Sequence, residues 1–353
     1  MGGQKCIASL YDFLQKEINL ICVSTINNDS SIVPYKVYNI LSNSIWRYIN
    51  LLYFFRLRNI IKKENISHLQ IEHPYYGWLG VLLQWFCGVK LIVHSHNIEG
   101  LRFKSLDKWW WRVLLSYEKW VHKQADYNLF ITEEDRSYAL QHFKLNSARC
   151  TIVTYGISWQ QAPSAAERAA AKSIITNKLG LATDTKIMLF NGTFSYQPNL
   201  DGLGFILDKV NPILKEKHNQ QYHIVICGKD IPASIQSSCY PNVSIEGFVD
   251  DINLYFRAAD IFLNPVAEGG GIKTKLVEAL ANDLIAVSFK NGAIGIPGST
   301  SANKLIITEE FDEEGFANAL LHIDMHPQAI GAKYFEHFYL GAIVQRMLQF
   351  ISK

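Results

Sequence analysis

The chain has 353 residues, 48% hydrophobic and 19% charged. That is enough apolar material for two packed domains, and too little charge for a largely disordered chain. Its net charge of +2 excludes the strong basic excess of a nucleic-acid binder, but the charge is uneven: residues 1–165 hold 18 Lys/Arg against 12 Asp/Glu, or +6, and the rest holds 16 against 20, or −4, so the halves offer different surfaces.

Six scattered cysteines with no CxxC pair argue against a disulfide frame or a zinc cluster and suit reduced, buried thiols of a cytoplasmic protein. No secretory leader pattern is seen at the start, and no run of 18 apolar residues is present to span a membrane.

The chain opens with "MGGQKCIASLYDFLQKE", a glycine pair running into a helix with no strand before it. The first strand of a doubly wound sheet is ordinarily central, and its loss exposes the edges of its neighbours. The expectation is that the first strand is missing and the natural chain begins upstream; the alternative is that "VYNIL" or another run takes its place. Strands are then expected at 18–25, 37–41, 68–73, 90–97, 127–132 and 150–156, and in the second half at 186–192, 222–228, 243–248, 261–266, 284–289 and 304–308. Helical patterns such as "NLDGLGFILDKVNPILKEKH" (199–218) lie between them.

Continuous apolar strands alternating with helices indicate parallel sheets covered on both faces. The alternation occurs twice, so the chain is read as α/β with two Rossmann-like domains. The N-terminal domain covers 1–160, a partly helical linker 161–184, the C-terminal domain 185–330 and a closing helix 331–353.

The sharpest local signal is "AEGGGIKTKLVEALAND", which follows the strand "IFLNPV". Ligands of open α/β sheets bind at loops leaving the carboxyl ends of strands. Glycines such as Gly270 and Gly271 let backbone amides approach a ligand, and the following helix offers N–H groups and a positive dipole end to phosphate. Lys273 and Lys275 add charge, and Lys275 and Glu278, three apart, share a helix face. The pattern fits a nucleotide diphosphate, with Glu278 accepting from ribose hydroxyls; it is equally compatible with a glycine-rich turn before a solvated helix. It is not a P-loop, because GxxxxGK[ST] is absent.

"FLNPVAEGGGIKTKLVEALANDLIAVSFKNGAIGI" resembles the donor-site signature of family 4 glycosyltransferases, which have the GT-B fold. "LFNGTFSYQPNLDGLGFI", "IVICGKD", "VSIEGFVDDINLYFRAADIFLNPV", "LQIEHPYYGWLG", "LIVHSHNIEGLRF" and "ADYNLFITEEDRSYA" resemble other parts of that family, in the family's order, so that the likeness covers nearly the whole chain. It implies two Rossmann-like domains facing across a donor/acceptor cleft. It also implies transfer of a sugar from a nucleotide diphosphate to a hydroxyl with retained anomeric configuration. No metal or other cofactor is expected if the amides of Gly270 and Gly271 and a lysine stabilise the departing diphosphate.

Two positions depart from the family. Glu278 matches the second of two glutamates, but Gly270 stands where the first belongs, with Glu268 two residues earlier. The basic residue usual after the first strand of the second domain is replaced by Gln197, which leaves the diphosphate to Lys273, Lys275 and Lys229, with Gly192 at that strand's end. The pair Asp250–Asp251 reads as a helix N-cap and first-turn acid, not a metal site.

In the first domain, His96 ends "KLIVHSHN" and is placed by the resemblance near the transferred sugar, in preference to His94; a structural role bonded to nearby backbone is the alternative. Asn97 and Glu99 belong to the same shell, Glu72 and His73 are weaker candidates, and Gly2 and Gly3 resemble the family's glycine loop or form an ordinary helix-entry turn. The segments 44–63 and 103–123 mix Trp, Phe and Tyr with Lys and Arg. That mixture suits a membrane surface or a lipid-linked acceptor, or else aromatic packing into a core beneath charged residues.

The partners expected are therefore a nucleotide-diphosphate sugar, a glycan or lipid-linked acceptor and peripheral contact with the inner membrane surface, with no nucleic acid. The leading reading is a transferase of surface polysaccharide or glycolipid synthesis. The competitors are a nucleotide-sugar 2-epimerase of the same fold and a degenerate, non-catalytic glycosyltransferase-like partner protein.

Overall fold

The structure is a computed structural model and describes residues 2–217, 222–236, 240–325 and 328–352. Among these are twelve strands, each inside or within one residue of an expected run: β1 Ile21–Thr25, β2 Lys36–Leu41, β3 His68–Glu72, β4 Lys90–Ser95, β5 Tyr127–Phe130, β6 Cys150–Ile152, β7 Lys186–Thr193, β8 Tyr222–Lys229, β9 Val243–Gly247, β10 Ile261–Asn264, β11 Ile285–Phe289 and β12 Leu305–Thr308. Every pairing between them is parallel.

The chain divides into one unit of residues 1–158 with 340–353 and a second of residues 159–339. The first unit carries two sheets, β1-β2 and β3-β4-β5-β6. The glycine pair at the start lies in the first turn of helix Gly2–Leu14. No strand precedes that helix among the described residues, and β1 and β3 each have one edge without a strand partner. Helix Gly2–Leu14 sets Leu10 and Leu14 against Ile92 and Leu129 of the four-stranded sheet and Val153 just beyond β6, beside Leu340, Ile343, Val344 and Met347. Those last four residues lie on helix Leu340–Ile351, which follows helix Ala332–Phe338. Residues 331–353, expected as one closing helix, are thus two, broken where Tyr339 turns extended.

The second unit is one six-stranded sheet in the order β12-β11-β10-β7-β8-β9. From β7 the chain builds outward through β8 and β9, then returns to the other side of β7 as β10. The reversal lies between β7 and β10, which is where open α/β sheets leave a crevice beyond the strand ends. Met188, Phe190, Ile224, Ile226, Ile261, Leu263, Val287 and Phe289 of the strands pack with Phe205, Ile206 and Phe316 in its main core.

The stretch expected as a linker holds helix Ala165–Leu179, opened by a Ser164–Glu167 capping box and closed by Gly180 in the left-handed conformation. It is fastened to the second unit: Arg168 donates to the carbonyls of Asp283 and Ala259, and Lys172 pairs with Asp260. The described cysteines, Cys6, Cys22, Cys87, Cys150 and Cys227, are free thiols, and Cys239 lies outside the described residues. No helix among the described residues is long and apolar enough to cross a membrane.

Candidate functional site

In the second unit the predicted donor residues converge at the reversal point. Gly192 is the last residue but one of β7, the loop after β10 carries Glu268, Gly270 and Gly271, and helix Thr274–Ala281 leaves that loop. Gly269 and Gly271 have φ of +92° and +69°, a region that side chains disfavour, so the glycines meet a backbone need. Lys273 occupies the N-cap position without capping through its side chain. Its Nζ instead turns back to the loop, 2.5 Å from the carbonyl oxygen of Gly269 and 3.3 Å from that of Gly271. Lys275 Nζ donates to the carbonyl of Asn191 at the end of β7, 2.6 Å away.

Two ammonium groups are therefore held by backbone carbonyls at the mouth of one helix. Burial pushes both down to about 8, with the Glu278 charge working the other way on Lys275. Two desolvated lysines bonded to neutral carbonyls, with the Glu278 carboxylate acting on Lys275, have the chemistry to take up an anion. Glu278 is buried one turn along the helix.

The remaining predicted residues of this unit are placed as follows. Glu268 is exposed. Lys229 is exposed at the end of β8, its Nζ 4.3 Å from the centre of the Phe248 ring. Gln197 is bonded to Asp201. Asp251 is the N-cap of helix Ile252–Ala258, accepting from the Asn253 amide, and that helix has no acid in its first turn, so of the two roles expected for Asp250–Asp251 only the N-cap is filled, and by the second residue.

In the first unit, β3 and β4 run side by side and end with Glu72 opposite His94. His96 Nε2 lies 2.7 Å from Glu72 Oε2, and His94 Nδ1 stands 3.0 Å from the same oxygen. Glu72 Oε1 accepts from Tyr11 Oη and Gln70 Nε2 at 2.7 and 2.6 Å. His94 Nε2 is 3.1 Å from the Val153 carbonyl, which places a proton on that nitrogen. Burial opposes charge on both members of the Glu72–His94 pair. Their mutual attraction wins, so the carboxyl is held well below its usual range and His94 above its own. His96, desolvated and beside a cationic His94, is lowered despite its bond to Glu72.

His96 is thus a neutral imidazole donating from Nε2, with its lone pair on Nδ1, where it can accept from a hydroxyl. Nδ1 of His94, Nε2 of His96 and a Glu72 oxygen lie within 4.8 Å of one another, and these are ligand types a transition metal takes. Both oxygens of Glu72 already accept bonds from protein donors, so the carboxylate is satisfied within the protein.

Glu99 is fully buried. Its oxygens accept from Tyr75 Oη at 2.5 Å and Arg102 Nη1 at 2.9 Å, with His73 Nδ1 at 3.4 Å. Burial raises its pKa, but the bonds from His73 and Tyr75 and the nearby charges outweigh this and bring it down to about 2. Asn97 Nδ2 is 3.5 Å from Glu99. Glu99 is thereby committed inside the protein and not offered to a sugar. His73 joins the group through φ of +65°, strained for a non-glycine residue, and through a ring 4.5 Å from that of His96.

Glu118, which no sequence signal marked, accepts from the amides of Glu99 and Gly100 at 3.0 Å each and so caps helix Glu99–Ser105. A lone acid amid the aromatic face of "LLSYEKW" was the only hint. Asn191, the partner of Lys275, carried no signal either, since the pairing spans 84 residues.

Against known families, residues 17–160 match the description "Glycosyltransferase Family 4" and residues 185–324 match "Glycosyl transferases group 1". Over 147 residues the chain is 30% identical to an "Uncharacterized 44.6 kDa protein in cps region" of Klebsiella pneumoniae, a match covering 38% of this chain and 36% of that protein. The chain thus spans little more than a third of that relative's length. Among solved structures it resembles sucrose-phosphate synthase of Thermosynechococcus elongatus (TM-score 0.74, 16% identity, 100% of this chain and 93% of that one). It also resembles HepE of Anabaena in complex with UDP (TM-score 0.70, 13% identity, 100% and 96%). At those identities the likeness is one of fold. With consecutive family matches on two units of parallel α/β structure, the chain belongs to the family 4-like glycosyltransferases of the GT-B fold.

Proposed function

We propose that this protein transfers a sugar from a nucleotide-diphosphate sugar to a hydroxyl of a glycan or lipid-linked acceptor, with retention, in the synthesis of a surface polysaccharide or glycolipid. The observation that carries this reading is the pair of desolvated lysines, Lys273 and Lys275, tethered to backbone carbonyls where the glycine loop meets β7. On binding, these ammonium groups exchange neutral carbonyl partners for phosphate oxygens, and each gains a charge-assisted bond. As the glycosidic bond breaks, negative charge grows on the diphosphate, and cations and loop amides already in place stabilise it without a metal ion. Glu278 accepts from the ribose hydroxyls. His96, neutral and oriented by Glu72, accepts a hydroxyl proton of the sugar or acceptor through Nδ1.

The cps-region relative supports a polysaccharide role, and the UDP bound to HepE supports a nucleotide-diphosphate donor. The test is incubation with UDP- and GDP-sugars, with and without lipid-linked acceptors. Nucleotide diphosphate released only when acceptor is present supports transfer. An isomerised donor without release identifies a 2-epimerase, and no turnover with any donor identifies a non-catalytic partner protein.

A further inference from the structure

We propose that the first unit docks on an anionic lipid bilayer through one face built from residues 44–63 and the end of helix Gly77–Cys87. Residues 44–63 carry five basic side chains and no acidic one. Within them, helix Leu52–Lys63 buries Tyr53 and Ile61 against the helix Gly77–Cys87 side chains Leu79 and Leu83. Its exposed positions are Leu52, Phe55, Arg56, Asn59, Lys62 and Lys63. Their spacing of three and four residues makes a single stripe, apolar at its start and basic at its end.

The apolar end continues in both directions. Before it lies a short helical turn with Trp46 70% exposed; beside it Trp85 and Phe86 are 65% and 66% exposed, and Phe86 is linked to Phe55 of the stripe through the half-buried Phe54, whose ring centre is 5.5 Å from that of Phe86 and 5.4 Å from that of Phe55. Folding has left these aromatic rings in water, beside cations.

The occupant follows from the charge. A protein partner of unknown sign gives no reason for an acid-free stretch, whereas an anionic headgroup layer attracts each lysine and arginine while Trp and Phe settle at the boundary between headgroups and acyl chains. The other aromatic and basic segment is different. Trp110 packs on Phe103, and Trp111 lies under Lys104 and Arg112, which leaves Trp109 as its one fully exposed ring among the three. The docking face is therefore assigned to 44–63 and Trp85–Phe86, and it does not depend on the donor reading.

The experiment uses the full chain with vesicles of phosphatidylcholine alone or mixed with phosphatidylglycerol, read by co-sedimentation and tryptophan emission. Binding is expected to the anionic vesicles at about 0.05 M salt and to weaken steeply at about 0.5 M. Arg56→Gln with Lys62→Gln and Lys63→Gln is expected to lower affinity about a hundredfold, at roughly fivefold per charge. Trp46→Ser with Phe55→Ser is expected to lower it about tenfold or more. Circular dichroism and nucleotide affinity, which these positions leave unchanged, report the fold. The proposal is overturned if the folded protein ignores anionic vesicles at low salt, or if both variants bind as the parent does. It is equally overturned if the Trp46/Phe55 variant dissolves a dimer seen by light scattering, because a second copy then covers the face.

Discussion

Binding of a nucleotide sugar should draw protons from solution, because Lys273 and Lys275 are each held near a pKa of about 8 by burial. At pH 8 each is close to half neutral. A bound diphosphate restores the charged form, moving each lysine back toward or above its ordinary value of about 10.4. The pair should then take up about one proton per donor bound at pH 8, and less than about 0.1 at pH 6.5. By the same sign, affinity falls as pH rises through 8, since more lysine must be charged at the expense of solvent protons.

The assay is calorimetric titration with an intact nucleotide sugar in buffers of different ionisation enthalpy, where the slope of the binding enthalpy gives the proton count. Lys275→Met should remove about half of the uptake and weaken binding by about 10- to 100-fold, the worth of one charge-assisted bond of roughly 1.5–3 kcal/mol. Saturable binding with no buffer dependence at pH 8 would refute the reasoning, for it would mean that neither lysine meets the phosphates.

Other consequences bear on single residues. A Cβ at Gly228 would lie 1.8 Å from the carbonyl oxygen of Gly192, a backbone atom that cannot rotate away. Gly228→Ala should cost about 3 kcal/mol or more in denaturant unfolding, whereas Gly192→Ala, whose Cβ meets the Asn199 side chain at 3.2 Å, should cost clearly less. Burial lifts Glu118 to about 8 against bonds from the Gly100 and Glu99 amides. Its contribution to stability is thus full below about pH 4.5 and is lost as pH rises to about 8, on the order of 4 kcal/mol in all. Glu118→Gln should flatten that part of the stability profile, and an unchanged slope between pH 5 and 8 would contradict the assignment. Glu72→Gln removes the charge that keeps His94 protonated, so the His94 ring signals in nuclear magnetic resonance should shift to the neutral form at pH 6–7. Persistence of the imidazolium would mean that another group holds it.

The strands were legible because each buried strand is a short continuous apolar run, and that pattern survives without any knowledge of its neighbours. The glycine loop and its helix were legible for a related reason: turn, cations and acid lie within fifteen residues. What could not be read depends on distance along the chain. Lys275 reaches Asn191 across the β7–β10 reversal, Glu118 caps a helix that begins nineteen positions earlier, and Tyr11 meets Glu72 from a different element. Nothing local marks such pairings.

Glu99 shows the same limit from the other side. Its position after "HSHN" suggested a ligand, but Tyr75 and Arg102, brought to it by folding, claim both the space and the charge. The break at Tyr339 was hidden because helical periodicity continues on either side of it.

The central claim is that the loop and helix of residues 269–281 hold a nucleotide diphosphate. Its most direct test is calorimetric titration of the full chain with UDP and with GDP, beside Glu278→Ala and Lys275→Ala. The account predicts saturable binding of at least one of the two, weakened in both variants. Equal affinity in the parent and both folded variants would place the nucleotide elsewhere, and no binding of either nucleotide by the folded parent would contradict the claim outright.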